Sequence, residues 1–561
     1  MLSRLADSLE KVLGPDAPRP AAAPAGFHAS GFLGETLSFQ IALQLEDGDP
    51  ADGALRLELD GPLAEHAQIS VVRRVPVSFP APAPERADEH YLVTEPGEYP
   101  DLLEPVEDGR VRVGTGVWEA LWIDVRVEDE AAAGEHELAV HLHAADASAA
   151  QPLASHRARI QIHPHRLPEL SILNTHWLHA DSLAVRYGVE VLSEEHWRLL
   201  EAYLAAARAM DVNSVLTPVW TPPLDTAVGH TRPTVQLVGI REDAPGQYSF
   251  DLSQLDRWLQ ICADAGFRAL EMAHLFTQWG ARCTPKIVVQ TPQGPQERFG
   301  WHVEATDPAY RQLLEQLLPA LRAHLDARWD GQVLWHISDE PGEEDLAPYE
   351  AARAQVTDLL EGAQVVDALS SFEYASRGLV DTPIVATNHV EPFLAAGRRP
   401  WVYYCVSQGK DVSNRFIALP SVRNRVLGRQ LFVHGAPGFL HWGFNFWWAQ
   451  HSLHAIDPFE DTCAGGAFPG GDPFAVYPGP DGTPWLSIRY RVLAQAMADH
   501  RALSLLASLA GADVATRLVD EGGTLTYSSF SYDVDAHLAA RRAVDEEIVA
   551  RLAIAGSENG R

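Results

Sequence analysis

The sequence predicts a multidomain β and α/β protein: an N-terminal β-sandwich, a (β/α)₈ TIM-like barrel and a small C-terminal appended element. Three observations carry this. From Gly31 to about Pro168, apolar and polar residues alternate in short runs separated by Gly, Pro and Asp, as half-buried strands of a sandwich do. From about Leu170 the rhythm becomes strand then helix, eight times over, which favours a closed barrel over an open sheet. At 561 residues the chain is also too long for one ordinary core. The expected divisions are a helix and linker over 1–24, the sandwich over 25–168, the barrel over 169–508 and an α/β element over 509–561.

The opening Met1–Glu10 is amphipathic with early acids and predicts a helix, and the Pro/Ala stretch Pro15–Pro24 predicts a linker. Period-two alternation places sandwich strands at Leu37–Leu43, Leu55–Leu59, Val111–Val113, Leu121–Val127, His136–His143 and Arg157–His163. Barrel strands are expected at Ile172–Leu178, Val212–Pro218, Ala269–His274, Val333–Ser338, Gln364–Leu369, Ile384–Asn388, Trp401–Val406 and Gly438–Gly443. Helices fall between them. Ser193 caps an Ala/Leu-rich run to Met210, and Asp307 opens a helix with Leu313, Leu314, Leu317, Leu318 and Leu321 at helical spacing. Others are expected over Leu252–Ala265, Glu343–Leu360, Ser421–Val433 and Ser487–Leu506. In the tail, Thr524–Tyr527 reads as a short strand and Val534–Leu552 as an acidic helix.

Composition excludes several functions. Lys+Arg number 43 against 76 Asp+Glu, a formal charge of −33, and such a field repels nucleic acid and anionic membranes. No run of 18 apolar residues and no secretory h-region occurs, so the expected location is cytoplasmic and no membrane partner is expected. Four dispersed cysteines without a CxxC pair suggest neither disulfide staples nor a metal knuckle. Nucleotide-binding glycine motifs and a GxSxG elbow are absent. No cofactor or metal is expected; oligomerisation is left open.

Chemistry centres on Trp335-His336-Ile337-Ser338-Asp339-Glu340-Pro341. An apolar run leads into two adjacent carboxylates, and Pro341 ends the element, which places Asp339 and Glu340 at a strand's end. Catalytic groups of barrels gather at that end. Neighbouring carboxylates raise each other's cost of ionising, so one can act as acid and the other as charge stabiliser. The competing reading is a cap on the following helix. Around the same rim, His176, Glu271, His274, Trp279, His336, Asn388, Tyr403, Tyr404, Trp442 and Asn445 mix aromatic and polar groups. That mixture suits a sugar, whose CH faces stack on rings and whose hydroxyls need partners. Glu271, His274 and His336 also raise metal binding as an alternative use, with hydroxyl contacts preferred, and Cys405 lacks any activating neighbour in sequence. Adjacent residues on one turn suit neither two-carboxylate geometry, about 5–5.5 Å or more apart on different strands. They suit substrate assistance, in which Glu340 protonates the leaving oxygen while Asp339 stabilises an attacking 2-acetamido group.

Taken with Gly34-Glu35-Thr36-Leu37-Ser38-Phe39-Gln40, Tyr477-Pro478-Gly479-Pro480-Asp481-Gly482 and Ser487-Ile488-Arg489, the His-x-Ser-Asp-Glu-Pro core resembles glycoside hydrolase family 123 and its relatives in the domain-of-unknown-function 4091 group. The resemblance implies an N-terminal sandwich, a catalytic barrel and retaining release of β-linked N-acetylgalactosamine. It places the acid/base on Glu340 and the acetamido stabiliser on Asp339. Where relatives carry Gly-x-x-Asp-Tyr, this chain has Ala496-Met497-Ala498-Asp499-His500. The expectation is an exo-acting β-N-acetylhexosaminidase acting on an oligosaccharide or glycoside. Two alternatives stay open: a glycosidase on non-acetylated sugars with Glu271 as nucleophile, and a non-catalytic carbohydrate-binding protein.

Overall fold

A computed structural model describes residues 1–13, 27–46, 48, 53–145 and 151–559. They form two compact units: Met1–Ser171 with Ser413–Val433 and Trp485–Arg561, and Ile172–Val412 with His434–Pro484. The first unit therefore takes in stretches that the sequence assigns to the barrel.

In the first unit, one sheet orders Leu2–Asp7, Thr36–Gln44, Glu119–Arg126, Ala67–Val77 and Gly97–Pro105, with Leu486 and Ser487 pairing beyond the last. The other orders Phe27–Leu33, Ala154–Arg166, Gly134–Ala144, Ala54–Asp60 and Arg110–Arg112. Alternate residues of both, including Phe39, Ile41 and Leu43 from one and Leu55, Leu142 and Ile160 from the other, fill one core. The six expected strands are present. Ala67–Val77 and Gly97–Pro105 were not anticipated, because Pro76, Pro100 and an Arg73/Arg74 register shift interrupt their pattern.

The expected opening helix is a strand. Leu2–Asp7 runs antiparallel to Thr36–Gln44, with Leu2 opposite Gln44 and Asp7 opposite Phe39. Met1 and Leu5, both odd-numbered, pack on the shared core, so the operative period is two. So short a helix is marginal alone, whereas a sheet edge satisfies the backbone directly. The Pro15–Pro24 linker lies outside the described residues. Thr524–Tyr527 forms no strand; the Gln430 side chain donates to Thr526 O (2.8 Å) and Tyr527 O (3.3 Å) in place of a ladder. The helices Ile488–Ala510 and Val534–Asn559 pack through Leu503, Leu506, Val544 and Ile548. Arg541 ties Glu35, Asp499 and Asp545 together there.

The second unit holds a closed barrel of eight parallel strands: Leu173–His176, Ser214–Thr217, Ala269–Met272, Gln332–Trp335, Gln364–Leu369, Thr382–Ala386, Trp401–Tyr403 and Gly438–His441. Leu173 opposite Gly438 closes it. All eight coincide with the expected strands, since strands buried on both faces read as apolar runs. Ser193 accepts from His196 N and Asp307 from Ala309 N, capping two of the intervening helices. A second sheet of Gly239–Ala244, Gln247–Asp251, Ile287–Thr291 and Gly294–Phe299 was not anticipated. Its hairpins are short and much of Gly294–Phe299 is solvent-facing, so no apolar alternation marks it. Among the described residues, no helix is long and apolar enough to cross a membrane.

Candidate active site

Beyond the fourth barrel strand, the chain is fixed by the strand beside it. The Asp367 carboxylate, projecting from the fifth strand, accepts from Ile337 N (2.9 Å) and Ser338 N (3.4 Å). Ser338 Oγ donates to Thr277 O (2.8 Å), Trp279 N to Asp339 O (2.9 Å) and Glu340 N to Ala368 O (3.0 Å). Glu340 is thereby held at φ 44°, a left-handed conformation that a non-glycine residue adopts at a cost. Strain at this carboxylate is consistent with a functional constraint.

Asp339 and Glu340 open into a cavity of about 190 Å³. Trp177, Trp279, Trp442 and Phe468 supply aromatic wall; Asp225, Gln278, Tyr403 and Gln450 supply polar groups. Tyr403 donates its hydroxyl to Glu340 Oε1 (2.6 Å), and Cys405 Sγ lies 3.9 Å from the same oxygen. Glu340 is exposed at the cavity and Asp339 is half-buried. Desolvation raises both carboxyls above their ordinary range, and Glu340 raises Asp339 further. Each carboxylate therefore disfavours ionisation of the other. Tyr403 favours the carboxylate of Glu340, while among the described residues no donor meets the carboxylate of Asp339.

Asp225, in the loop after the second strand, was not expected from sequence. Its φ is 39°, and His451 N donates to its Oδ2 (2.9 Å). Desolvation raises it to about 6, with Glu340 adding to the rise against the His451 amide.

Three of the ten expected sugar-binding residues line the cavity: Trp279, Tyr403 and Trp442. Glu271, His274 and His336 do not; they are fully buried. His336 Nε2 lies 3.2 Å from Glu271 Oε2 and its Nδ1 3.3 Å from Asp367 Oδ1. Burial opposes charge on this imidazole, but the two carboxylates prevail and raise it to about 9. Trp177 Nε1 (3.0 Å) and Ser214 Oγ (2.6 Å) also donate to Glu271. A carboxylate so enclosed cannot reach a sugar, which removes Glu271 as nucleophile. His274 stacks on His336 at 4.4 Å, and burial with that neighbour's charge lowers it far below its ordinary range. His176 and Tyr404 are buried against the Phe439 and His441 rings. Asn445 bonds both ways to the His179 backbone, and Asn388 is exposed and accepts from Gln408 Nε2 (3.0 Å). Neither lines the cavity.

His274, His336 and Asp367 also bring possible metal-ligating atoms within 4.8 Å of one another. Both nitrogens of His336 already face carboxylates, so the group reads as a buried ion-pair relay. Cys405 is not an activated thiolate: burial and Glu340 push its thiol well above the ordinary range. One signal for the unexpected Asp367 is in the sequence, a lone carboxylate inside Val365-Val366-Asp367-Ala368-Leu369.

The profile of the glycoside hydrolase 123 catalytic domain matches residues 177–506. The chain belongs to glycoside hydrolase family 123. Its structure is similar to that of a family 123 glycoside hydrolase from Clostridium perfringens, described in work on glycolipid glycan hydrolysis. The two share 14% identity over 99% of each chain with a TM-score of 0.72, a likeness of fold. A GH10 xylanase from Thermobacillus composti matches at 11% identity over 58% of this chain and 97% of its own, with a TM-score of 0.30, too low to carry an argument. No curated protein matches the chain. As a family 123 member, the chain is a glycoside hydrolase.

Proposed function

We propose that this family 123 enzyme is an exo-acting β-N-acetylhexosaminidase, N-acetylgalactosamine preferred, working by substrate-assisted retaining catalysis. The barrel is read as TIM-like (β/α)₈, and the two-sheet core as a β-sandwich. The observation that carries the proposal is the Asp339 carboxylate: it faces the cavity beside Glu340 with no hydrogen-bond donor among the described residues. The N–H of a 2-acetamido group is the donor it lacks. That bond favours ionised Asp339, whose charge in turn favours the protonated form of Glu340.

Glu340 then protonates the glycosidic oxygen as its bond to the anomeric carbon breaks. The acetamido carbonyl oxygen closes on that carbon, and Asp339 stabilises the positive charge of the oxazolinium. Water, deprotonated by Glu340, attacks the same carbon and reopens the ring, so configuration is retained. Trp279 and Trp442 offer faces to the sugar, and Asp225 accepts from its hydroxyls. A second reading, displacement on a non-acetylated sugar, is favoured by one observation: Asp225 is a third carboxylate in the cavity.

A panel of p-nitrophenyl glycosides, run with wild type and Glu340→Gln, tests the proposal. Hydrolysis confined to the β-N-acetylhexosaminides and lost in the variant supports it. Hydrolysis confined to sugars without the acetamido group contradicts it.

A further inference from the structure

We infer that Gln278 is the positioning residue for Asp225, and that the turn carrying it sets where this carboxylate stands against Asp339 and Glu340. This rests on the reading of Asp225 as a sugar-binding group and names the residue that places it. Gln278 lines the cavity although it is buried, and its amide is spent on the loop after the second strand. Oε1 accepts from Asp225 N, and Nε2 donates to Thr226 O (3.3 Å). One amide thus meets a donor and an acceptor on consecutive residues, which neither an ionised carboxylate nor an apolar side chain can do.

Asp225 is held from the eighth-strand loop as well. Ser452 Oγ donates to Asp225 O (2.6 Å) and His451 N to Oδ2 (2.9 Å). Among the described residues Oδ1 meets no donor, which leaves it for a hydroxyl in the cavity. The φ of 39° carries a backbone cost, so the loop keeps this conformation only while such bonds over-determine it. The turn that carries Gln278 is closed on itself. Thr277 N donates to Cys283 O (2.9 Å), Ala281 N to Thr277 O (3.2 Å) and Cys283 N to Thr277 Oγ1 (3.2 Å). The same turn grips the catalytic pair: Ser338 Oγ donates to Thr277 O (2.8 Å) and Trp279 N to Asp339 O (2.9 Å). Thr277-Gln278-Trp279 therefore bonds to both carboxylate-bearing loops. Their charges lie within reach of one another, since Glu340 raises Asp225 and Asp225 raises Asp339.

The test is a double-mutant cycle on p-nitrophenyl 2-acetamido-2-deoxy-β-D-galactopyranoside. Wild type, Gln278→Met, Asp225→Ala and the two changes together are compared by KM and kcat on both sides of pH 6. Because a lost buried acceptor can cost folding, Gln278→Asn, which keeps the amide and shortens its reach, is run beside Gln278→Met and is expected to shift KM the same way. Gln278→Met is expected to raise KM roughly tenfold with kcat changed less, and to flatten the improvement of KM as pH rises through about 6. In Asp225→Ala, where there is no carboxylate to place, the same substitution is expected to change KM by about twofold or less. A loss of equal size in both backgrounds, or no loss in the wild-type background, overturns the inference. Asp225→Ala with unchanged kcat/KM overturns it too, by denying that Asp225 meets the sugar. If Asp225→Ala instead abolishes turnover and Gln278→Met lowers kcat in step, Gln278 still places Asp225 and the substrate-assisted reading fails.

Discussion

Tyr403, ending the seventh barrel strand, donates its hydroxyl to Glu340 Oε1 across 2.6 Å. This bond favours the ionised form of Glu340 and so opposes the desolvation that raises its pKa. Removing it in Tyr403→Phe is expected to raise the pKa of Glu340 and move the alkaline limb of kcat/KM to higher pH. It is also expected to lower kcat/KM by roughly tenfold or more, the worth of one hydrogen bond to a charged group. A profile with an unmoved limb would separate Tyr403 from the acid.

Glu340→Gln and Asp339→Asn are each expected to lower kcat by about 10²–10⁴-fold. The two losses should differ in kind. A leaving group that departs without protonation spares the Glu340 variant more than the Asp339 variant. Kinetics on aryl glycosides spanning several leaving-group pKa values would show a steeper dependence in Glu340→Gln alone; equal slopes in both variants would deny the division of labour.

Asp225→Asn keeps the shape of the loop and changes the acceptor. If this carboxylate binds sugar hydroxyls, KM is expected to rise roughly tenfold with kcat changed less. Folded Asp225 holds its proton to about 6, against roughly 3.9 for an unperturbed Asp. Wild-type KM should therefore improve as pH rises through about 6, and the variant should lose that dependence.

His336 gives a stability prediction. Its folded pKa of about 9 exceeds the 6.5 of an unperturbed imidazole, so between those values the folded state binds more protons than the unfolded one. The stabilisation is complete below 6.5 and is lost as pH rises through about 9. Urea midpoints should fall over that window in wild type and flatten in His336→Gln. The variant is destabilised at neutral pH because Glu271 and Asp367 are left buried without their counter-charge.

The barrel was legible because its strands are apolar runs ended by polar and aromatic residues, and Asp339-Glu340 because Pro341 stops the element at the rim. Depth was not legible. Glu271 lies inside Ala269–Met272 rather than at its end, and His336 follows Trp335 directly. Positions only a residue or two short of the rim are enclosed, so these side chains join a buried relay and miss the cavity. Asp225 sits on a loop without periodicity, and nothing local distinguishes it from other surface acids. The helical reading of Met1–Glu10 failed because pairing with Thr36–Gln44 satisfies a backbone too short to sustain a helix.

The central claim, that the substrate's acetamido group is the nucleophile steadied by Asp339, is tested most directly by weakening that nucleophile. Aryl β-glycosides of N-acetyl, N-fluoroacetyl, N-difluoroacetyl and N-trifluoroacetyl galactosamine would be compared by kcat/KM. Each fluorine withdraws electron density from the carbonyl oxygen, so the account predicts a steep, monotonic decline. A flat series with substantial activity retained on the trifluoroacetyl sugar would contradict it and direct attention to Asp225 as a protein nucleophile.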